Sequence, residues 1–253
     1  MQAPTHVQAH FYNRCMRVPH QRVDMNSRRE IKDALFEQVA RVAKAMASPK
    51  RLELVSLLCQ APQAVEALAR EAGISIKLAS AHLKELRGAR LVETERRGKQ
   101  IVYRLASKEV PELWVALRRL ANARLVELQE TLAQLAGSNG EWRTEQRDEL
   151  LRKARLGEIV IIDVRPANEF DQAHLPLARS LPLSELSQRL SELPKDKPIV
   201  AYCRGGFCLL SGDAVRLLRE HGYEAMQLRD GVVEWSMAQP SNRESTYARE
   251  EPR

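Results

Sequence analysis

The sequence predicts two domains of different class, a mainly helical one in front and an α/β one with a parallel sheet behind it. Three observations carry this. Between Ile31 and Leu135 apolar residues recur at helical spacing, interrupted by two short alternating runs. Gly137-Ser138-Asn139-Gly140 then forms the plainest linker in the chain. Beyond it strands alternate with helices, and Ile159–Val164 and Ile199–Tyr202 are continuous apolar runs of the kind buried on both faces of a parallel sheet.

Ile31, Leu35, Val39, Val42 and Met46 define the first helix. Ser48-Pro49 caps a second, with Leu52, Val55 and Leu58 inward. Pro62 opens a third with Val65, Leu68 and Ala69, which Ala72-Gly73 ends, and Ser75 is the N-cap of a fourth, Ile76 to about Arg87. Leu91–Thr94 and Ile101–Leu105 alternate around Arg96-Arg97-Gly98-Lys99, a hairpin signal. One long helix is expected from about Pro111 to Leu135, its leucine face broader than a lone surface helix requires. In the back half, Leu186 with Leu190, and Ala214 with Leu217 and Leu218, mark the helices between strands. The expected division is a flexible arm over 1–28, a helical domain over 29–136, a linker over 137–144, an α/β domain over 145–240 and a disordered tail over 241–253. Met25-Asn26-Ser27 directly precedes the helical pattern, so Met25 competes with Met1 as the true first residue.

The 253 residues are 44% hydrophobic and 29% charged, a globular composition, and no apolar run is long enough for a membrane span. No apolar h-region follows the N-terminus, and four scattered cysteines (Cys15, Cys59, Cys203, Cys208) make no disulfide framework, so a reducing cytoplasm is expected. Residues 1–136 carry 23 Lys+Arg against 14 Asp+Glu, whereas the rest carry 17 against 19. A basic front half joined to a near-neutral back half points to a polyanionic partner for the front.

Two short helices joined by a tight glycine turn, then a basic-tipped hairpin, make a winged helix-turn-helix. The second of those helices would enter the major groove, with Ser75, Lys77, Leu78, Ser80, Ala81, His82 and Lys84 on its outward face and Leu83 and Leu86 in the core. Arg96, Arg97 and Lys99 at the wing tip would meet phosphates. Ser48-Pro49-Lys50-Arg51-Leu52, the run from Ser75 to Leu86 and the following Gly88-Ala89-Arg90-Leu91-Val92 resemble the ArsR/SmtB family of winged-helix repressors. The resemblance implies operator DNA as partner and a homodimer built on the first and last helices. Metal-sensing members often carry a Cys-x-Cys pair in the third helix, where this chain has Pro62 to Leu68; others use Asp and His on the last helix, and residues 111–135 hold neither His nor Cys. No metal site and no cofactor are therefore expected. The second cysteine of the family's dithiol persulfide sensors is missing too.

Tyr202-Cys203-Arg204-Gly205-Gly206-Phe207-Cys208 is the richest stretch of the back half. A cysteine leaving a buried strand into a glycine-bearing loop that opens a helix sits where backbone N–H groups converge, and the helix dipole favours its thiolate. Residues 145–238 resemble a single rhodanese domain, through Ile161–Pro166, Glu169-Phe170, Ala173–Pro176, Ala178–Pro182, the loop from Cys203 and Asp230–Trp235. The resemblance implies the rhodanese fold and a Cys203 that carries sulfane sulfur as a persulfide. Arg204, Gly205, Gly206, Phe207 and Cys208 would bind a small sulfur-donor anion or persulfide, with Arg204 attracting the anion. Asp163 and Arg165 leave a neighbouring strand towards the same end of the sheet, either touching substrate or holding the loop. Cys208 either caps the loop or resolves a modified Cys203 as a disulfide. Phosphatases of this fold need Cys-x5-Arg, and the sixth residue after Cys203 is Leu209.

The expected function is a dimeric transcriptional regulator whose rhodanese domain transfers or senses sulfane sulfur. The alternative is mainly a sulfurtransferase enzyme whose front domain serves dimerisation or tethering.

Overall fold

The computed structural model describes residues 25–98, 100–135, 141–142 and 146–237. The expected arm up to residue 24 with Cys15, Lys99, the Gly137–Gly140 linker and the tail over 241–253 lie outside the described residues. The chain divides into two compact units, Met1–Lys44 and Ala45–Arg253. In the first, helix α1 (Met25–Met46) presents Ile31, Leu35, Phe36 and Val39, each more than half exposed and one helical turn or so apart.

The second unit opens with α2 (Pro49–Leu58), where Pro49 supplies the fixed φ of the first turn and Ser48 occupies the N-cap position without a side-chain hydrogen bond. Pro62 does not open the next helix. Gln63–Ala64 forms a short strand, β1, whose residues pair with Tyr103 and Val102, and α3 (Val65–Glu71) begins only after it. Propensity gives no sign of this strand, which exists because the hairpin offers it a partner edge. Ser75 caps α4 (Ile76–Gly88) by accepting from the Leu78 N–H at 3.2 Å. Strands β2 (Val92–Arg97) and β3 (Gln100–Leu105) form the expected hairpin, giving a three-stranded order β1-β3-β2. Leu54, Val55, Leu68, Ala79, Leu83, Leu86 and Val102 fill the space between these helices and the wing.

The long last helix is two helices, α5 (Glu109–Arg124) and α6 (Val126–Leu135). Leu125 between them is extended, at φ −105° and ψ 110°. No proline or glycine marks the break. The Gln129 side-chain amide takes up the Asn122 carbonyl at 2.6 Å, and α6 restarts with the Gln129 N–H on the Leu125 carbonyl.

The back half is an α/β layer. Strands β4 (Glu141–Trp142), β5 (Val160–Asp163), β6 (Arg179–Ser180), β7 (Ile199–Tyr202) and β8 (Ala225–Leu228) form a parallel sheet in the order β4-β8-β7-β5-β6. Helices α7 (Arg147–Arg155), α8 (Ala167–Gln172), α9 (Leu183–Leu186), α10 (Leu210–Glu220) and α11 (Val232–Met237) connect and cover the strands. Strand periodicity explains why β5 and β7 read as unbroken apolar runs. Ile162, Ile199, Ala201 and Cys203 point into one core with Ala214 and Leu218, while Ile161, Val200 and Tyr202 point into the other with Leu150 and Trp235.

The topology also fixes where chemistry belongs. From β5 the chain goes to β6 on one side, then crosses back to β7 and β8 on the other. The switch point therefore lies between β5 and β7, at whose carboxyl ends Asp163 and Tyr202 are register partners.

Candidate functional site

Cys203 leaves β7 at this switch point and is 1% exposed. Its Sγ lies 3.0 Å from Ser211 Oγ and donates to the Cys208 carbonyl at 3.6 Å. Gln227 Nε2 on β8 donates to Ser211 Oγ at 2.8 Å, which fixes the serine hydroxyl beside Cys203. Ser211 and Gln227 were absent from the sequence-based site. A serine in the first turn of the helix after the loop is a usable local signal; Gln227 has none, because only the sheet order brings β8 beside β7.

The environment of the expected low-pKa thiol, Cys203, acts on it in opposing directions. Burial pushes the Cys203 thiol well up, and hydrogen bonding to Cys208 pushes it further, outweighing the Ser211 contacts. Cys208 is pulled down to about 6: the Cys203 thiol donates to it, burial opposes, and the backbone amides of Arg204 and Leu210 with the Arg204 charge favour the thiolate. Cys59, at the end of α2, is pushed up to about 12 by burial and by Glu234, and stays a thiol. Among the described residues no group of His, Cys, Asp and Glu is placed to hold a metal ion.

The charged residues around the loop are spent on one another rather than aimed at the sulfur. Asp163 and Arg165 are fully buried, with Arg165 Nε at 2.9 Å and Nη2 at 2.6 Å from the two Asp163 oxygens. Burial works against the Arg165 charge, but the Asp163 bonds outweigh it. Arg165 also donates to the Ala173 carbonyl at 2.7 Å and to Gln60 Oε1 at 2.9 Å, so neither Asp163 nor Arg165 faces the thiol as a substrate ligand. The guanidinium of Arg204 binds buried Glu169 through Nε at 3.0 Å and Nη2 at 2.5 Å, and Glu71 of α3 through Nη1 at 3.0 Å. Its expected part in attracting an anion is thereby corrected, since two carboxylates already hold its one charge.

Gly205 and Gly231 are required by the backbone. Gly205 has φ +113°, and a Cβ on Gly231 would stand 2.6 Å from the Arg204 carbonyl carbon. Gly206 lies beside Arg229, and Phe207 is exposed on one side while meeting Trp114 of α5 edge-on, ring centroids 6.0 Å apart. Arg118 lies 5.3 Å over the Phe207 ring and pairs with buried Glu234, which also accepts from the Gly231 N–H at 2.9 Å. His174 stacks on Phe170 with centroids 3.9 Å apart, and its Nδ1 lies 2.9 Å from the Phe170 carbonyl.

In the front part, Ser75, Lys77, Leu78, Ser80, Ala81 and Lys84 are exposed along α4, and His82 is half-buried. Arg96 and Arg97 are exposed at the wing tip, with Arg97 held by Glu95 at 3.2 Å. The structure thus brings these side chains to one helix and one hairpin, with Leu83 and Leu86 in the core.

The winged helix followed by a parallel α/β layer defines a helix-turn-helix DNA-binding regulator joined to a rhodanese-like domain. Two family profiles match: "Bacterial regulatory protein, arsR family" over residues 48–94 and "Rhodanese-like domain" over residues 146–238. The chain is 42% identical over 207 residues to the HTH-type transcriptional regulator Rv0324 of Mycobacterium tuberculosis, covering 82% of this chain and 91% of that protein. It belongs to the arsR family of bacterial regulatory proteins, in a form that carries a rhodanese-like domain. A sulfurtransferase of Allochromatium vinosum is 35% identical over 86 residues, 34% of this chain and 78% of that protein. Among solved structures, the homodimeric winged helix-turn-helix DNA-binding domain (fragment 1–100) of Mb0332 from Mycobacterium bovis is 41% identical over 38% of this chain and 89% of that one, at a TM-score of 0.36. No helix among the described residues is long and apolar enough to cross a membrane.

Two outcomes follow from this geometry. Replacing Arg165 with Ala leaves Asp163 buried without its cation, and urea unfolding should show a loss of about 3–5 kcal/mol; an unchanged midpoint would contradict the buried pair. Alkylation of Cys208 by iodoacetamide should titrate near pH 6. The inflection should move up in Cys203→Ala, which removes the donated thiol hydrogen bond, as read by peptide mass spectrometry across pH.

Proposed function

We propose that this chain is a dimeric, operator-binding regulator of the cytoplasm whose Cys203 accepts a sulfane sulfur and holds it or passes it on. The observation that carries the sulfur reading is the placement of the Cys203 thiol, at the switch point of the sheet, between the Ser211 hydroxyl and Cys208. The proton of the pair rests on Cys203. As Cys203 attacks, that proton moves to the Cys208 thiolate, and the Ser211 hydroxyl, oriented by Gln227, stabilises the charge appearing on Cys203 Sγ.

With thiosulfate as donor, the Cys203 thiolate bonds to the outer sulfur as the sulfur–sulfur bond of thiosulfate breaks and sulfite leaves with the electron pair. The product is a Cys203 persulfide. A thiophilic acceptor such as cyanide attacks the outer sulfur, thiocyanate leaves, and the thiolate returns. Arg204, Gly205, Gly206, Phe207 and Cys208 form the loop that would surround the added sulfur. Asp163 and Arg165 act behind it, holding the loop's neighbours rather than the substrate.

Lys77, Ser80, His82 and Lys84 on α4, with Ser75 and Leu78 at its start, would face the major groove, and Arg96, Arg97 and Lys99 would meet phosphates. Exposed apolar faces on α1 (Ile31, Leu35, Phe36, Val39) and on α5 (Leu113, Leu117, Leu120) each have the character of a surface that a second copy covers.

Thiosulfate:cyanide sulfurtransferase activity should fall to the uncatalysed level in Cys203→Ser and by about tenfold in Ser211→Ala, a loss expected of one hydrogen bond to a charged group. Full activity in Cys203→Ser would end the sulfur reading. Replacing Lys77, Arg96 and Arg97 with Ala should abolish binding to a palindromic duplex selected from a random library. Each single substitution should lower the salt slope of binding by about one. Unchanged binding in the triple variant would favour a front domain that only dimerises.

A further inference from the structure

The sulfur loop does not stand clear of the DNA-binding part. Arg204, the residue after Cys203, is bound at 3.0 Å by Glu71, the last residue of α3, four positions before the Ser75 cap of α4. Phe207 lies against Trp114, and Arg118 stands over that ring while pairing with Glu234. The Gly205 backbone is pressed into the same pair: a Cβ there would be 3.1 Å from Glu234 Oε2 and 3.2 Å from Arg118 Nη1. Three residues of the loop are thus held by α3 and α5, and behind them Cys203 is buried, with Ser211 and Cys208 in polar contact with its sulfur.

We infer that the winged-helix part is a latch on the Cys203 loop: Glu71 on α3, with Trp114 and Arg118 on α5, holds the loop closed over the sulfur, and release of those contacts admits the donor. Two physical arguments support it. A persulfide adds a second sulfur about 2 Å beyond Sγ, and Cys203, only 1% exposed, offers an incoming donor no open path until the loop moves. The single charge of Arg204 is divided between Glu169 and Glu71, so in the closed loop Arg204 attracts an anionic donor less than a free arginine would. Giving up Glu71 leaves Arg204 and Glu169 as a neutral pair. This refines the sulfur-carrier reading above and rests on it for the nature of the donor, though the closure itself does not.

The test compares the full chain with Glu71→Gln, Glu71→Lys and Trp114→Ala, each checked for its fold by circular dichroism. The first readout is the alkylation rate of Cys203 by neutral iodoacetamide. Trypsin cleaves after Arg204 and so places Cys203 and Cys208 in separate peptides. The second readout is the gain of one sulfur atom on the Cys203 peptide after thiosulfate. Alkylation of Cys203 should rise by about three- to tenfold in Glu71→Gln and further in Glu71→Lys, which repels Arg204, with sulfur loading rising in parallel. Trp114 is itself buried, so the two Glu71 variants carry the test if Trp114→Ala does not fold. A Cys203 alkylation rate unchanged in folded Glu71→Lys overturns the latch. Faster alkylation with no sulfur gained by any form, wild type included, supports the latch and overturns the sulfur-carrier reading.

Discussion

Five charges of alternating sign run from the end of the parallel sheet to the helix-turn-helix: Asp163, Arg165, Glu169, Arg204 and Glu71. The rest of the arrangement depends on this chain. Asp163, Arg165 and Glu169 are within 1% of full burial, where an unpaired charge costs several kcal/mol, so each must be held by its neighbour in the series. The series does not close within the α/β part. Gln60 supplies the acceptor for one Arg165 nitrogen, and Glu71 does so for one Arg204 nitrogen. Both come from the winged helix, so the two halves complete each other's polar groups. Such a chain contributes specificity of docking more than stability, because well-packed apolar residues could fill the same space at no greater cost.

The fold was legible in the sequence wherever a local rule decided it. The Ser75 cap, the hairpin around Arg96–Lys99 and the two-faced apolar strands all follow from spacing within a few residues. It was not legible where a partner distant in sequence decided. The strand Gln63–Ala64 needs the edge of β3, and the break at Leu125 is stabilised by a side chain four residues on without any helix breaker. In the site, Cys203 and the glycine loop stood out, and Glu169 and Glu234 lay in runs that carried the resemblance without a role being read for them, whereas Ser211 and Gln227 were absent from the sequence-based site altogether. The role of Gln227 comes from the order of the sheet, that of Glu234 from Arg118 on α5 and that of Glu169 from Arg204, none of which a motif near the cysteine records. Trp114 and Arg118 read as one more turn of an amphipathic helix.

The two cysteines of the loop meet opposite environments. A helix N-terminus offers a thiolate on the order of 0.3–2 kcal/mol, whereas full burial of an ionised group costs considerably more. Strand parity sends Cys203 inward to the same core as Ala201 and Ala214, so burial wins there. Cys208, five residues on and only partly buried, receives the loop amides instead. The features that favour a thiolate are thus divided between two sulfurs, the loop amides and the Arg204 charge acting on Cys208 while Cys203 lies in the core.

The size of the contacts limits what such an arrangement can signal. A partly exposed ion pair such as Glu71–Arg204 contributes roughly 1 kcal/mol or less, and an edge-on aromatic contact such as Trp114–Phe207 about 0.5–1.5 kcal/mol. Together with the Arg118 contact they amount to a coupling of about 1–3 kcal/mol, which shifts an affinity by roughly 5- to 150-fold. Reversing a population from 1:99 to 99:1 needs about 5.5 kcal/mol. If the latch proposed above couples the Cys203 loop to the DNA-binding part, contacts of this size could bias that part in one chain but not switch it completely. A symmetric dimer raises the ceiling, because two loops acting on one operator complex contribute twice to the same equilibrium. Under the proposed dimer and latch, graded control in the single chain and steeper control in the dimer would come from the same few contacts.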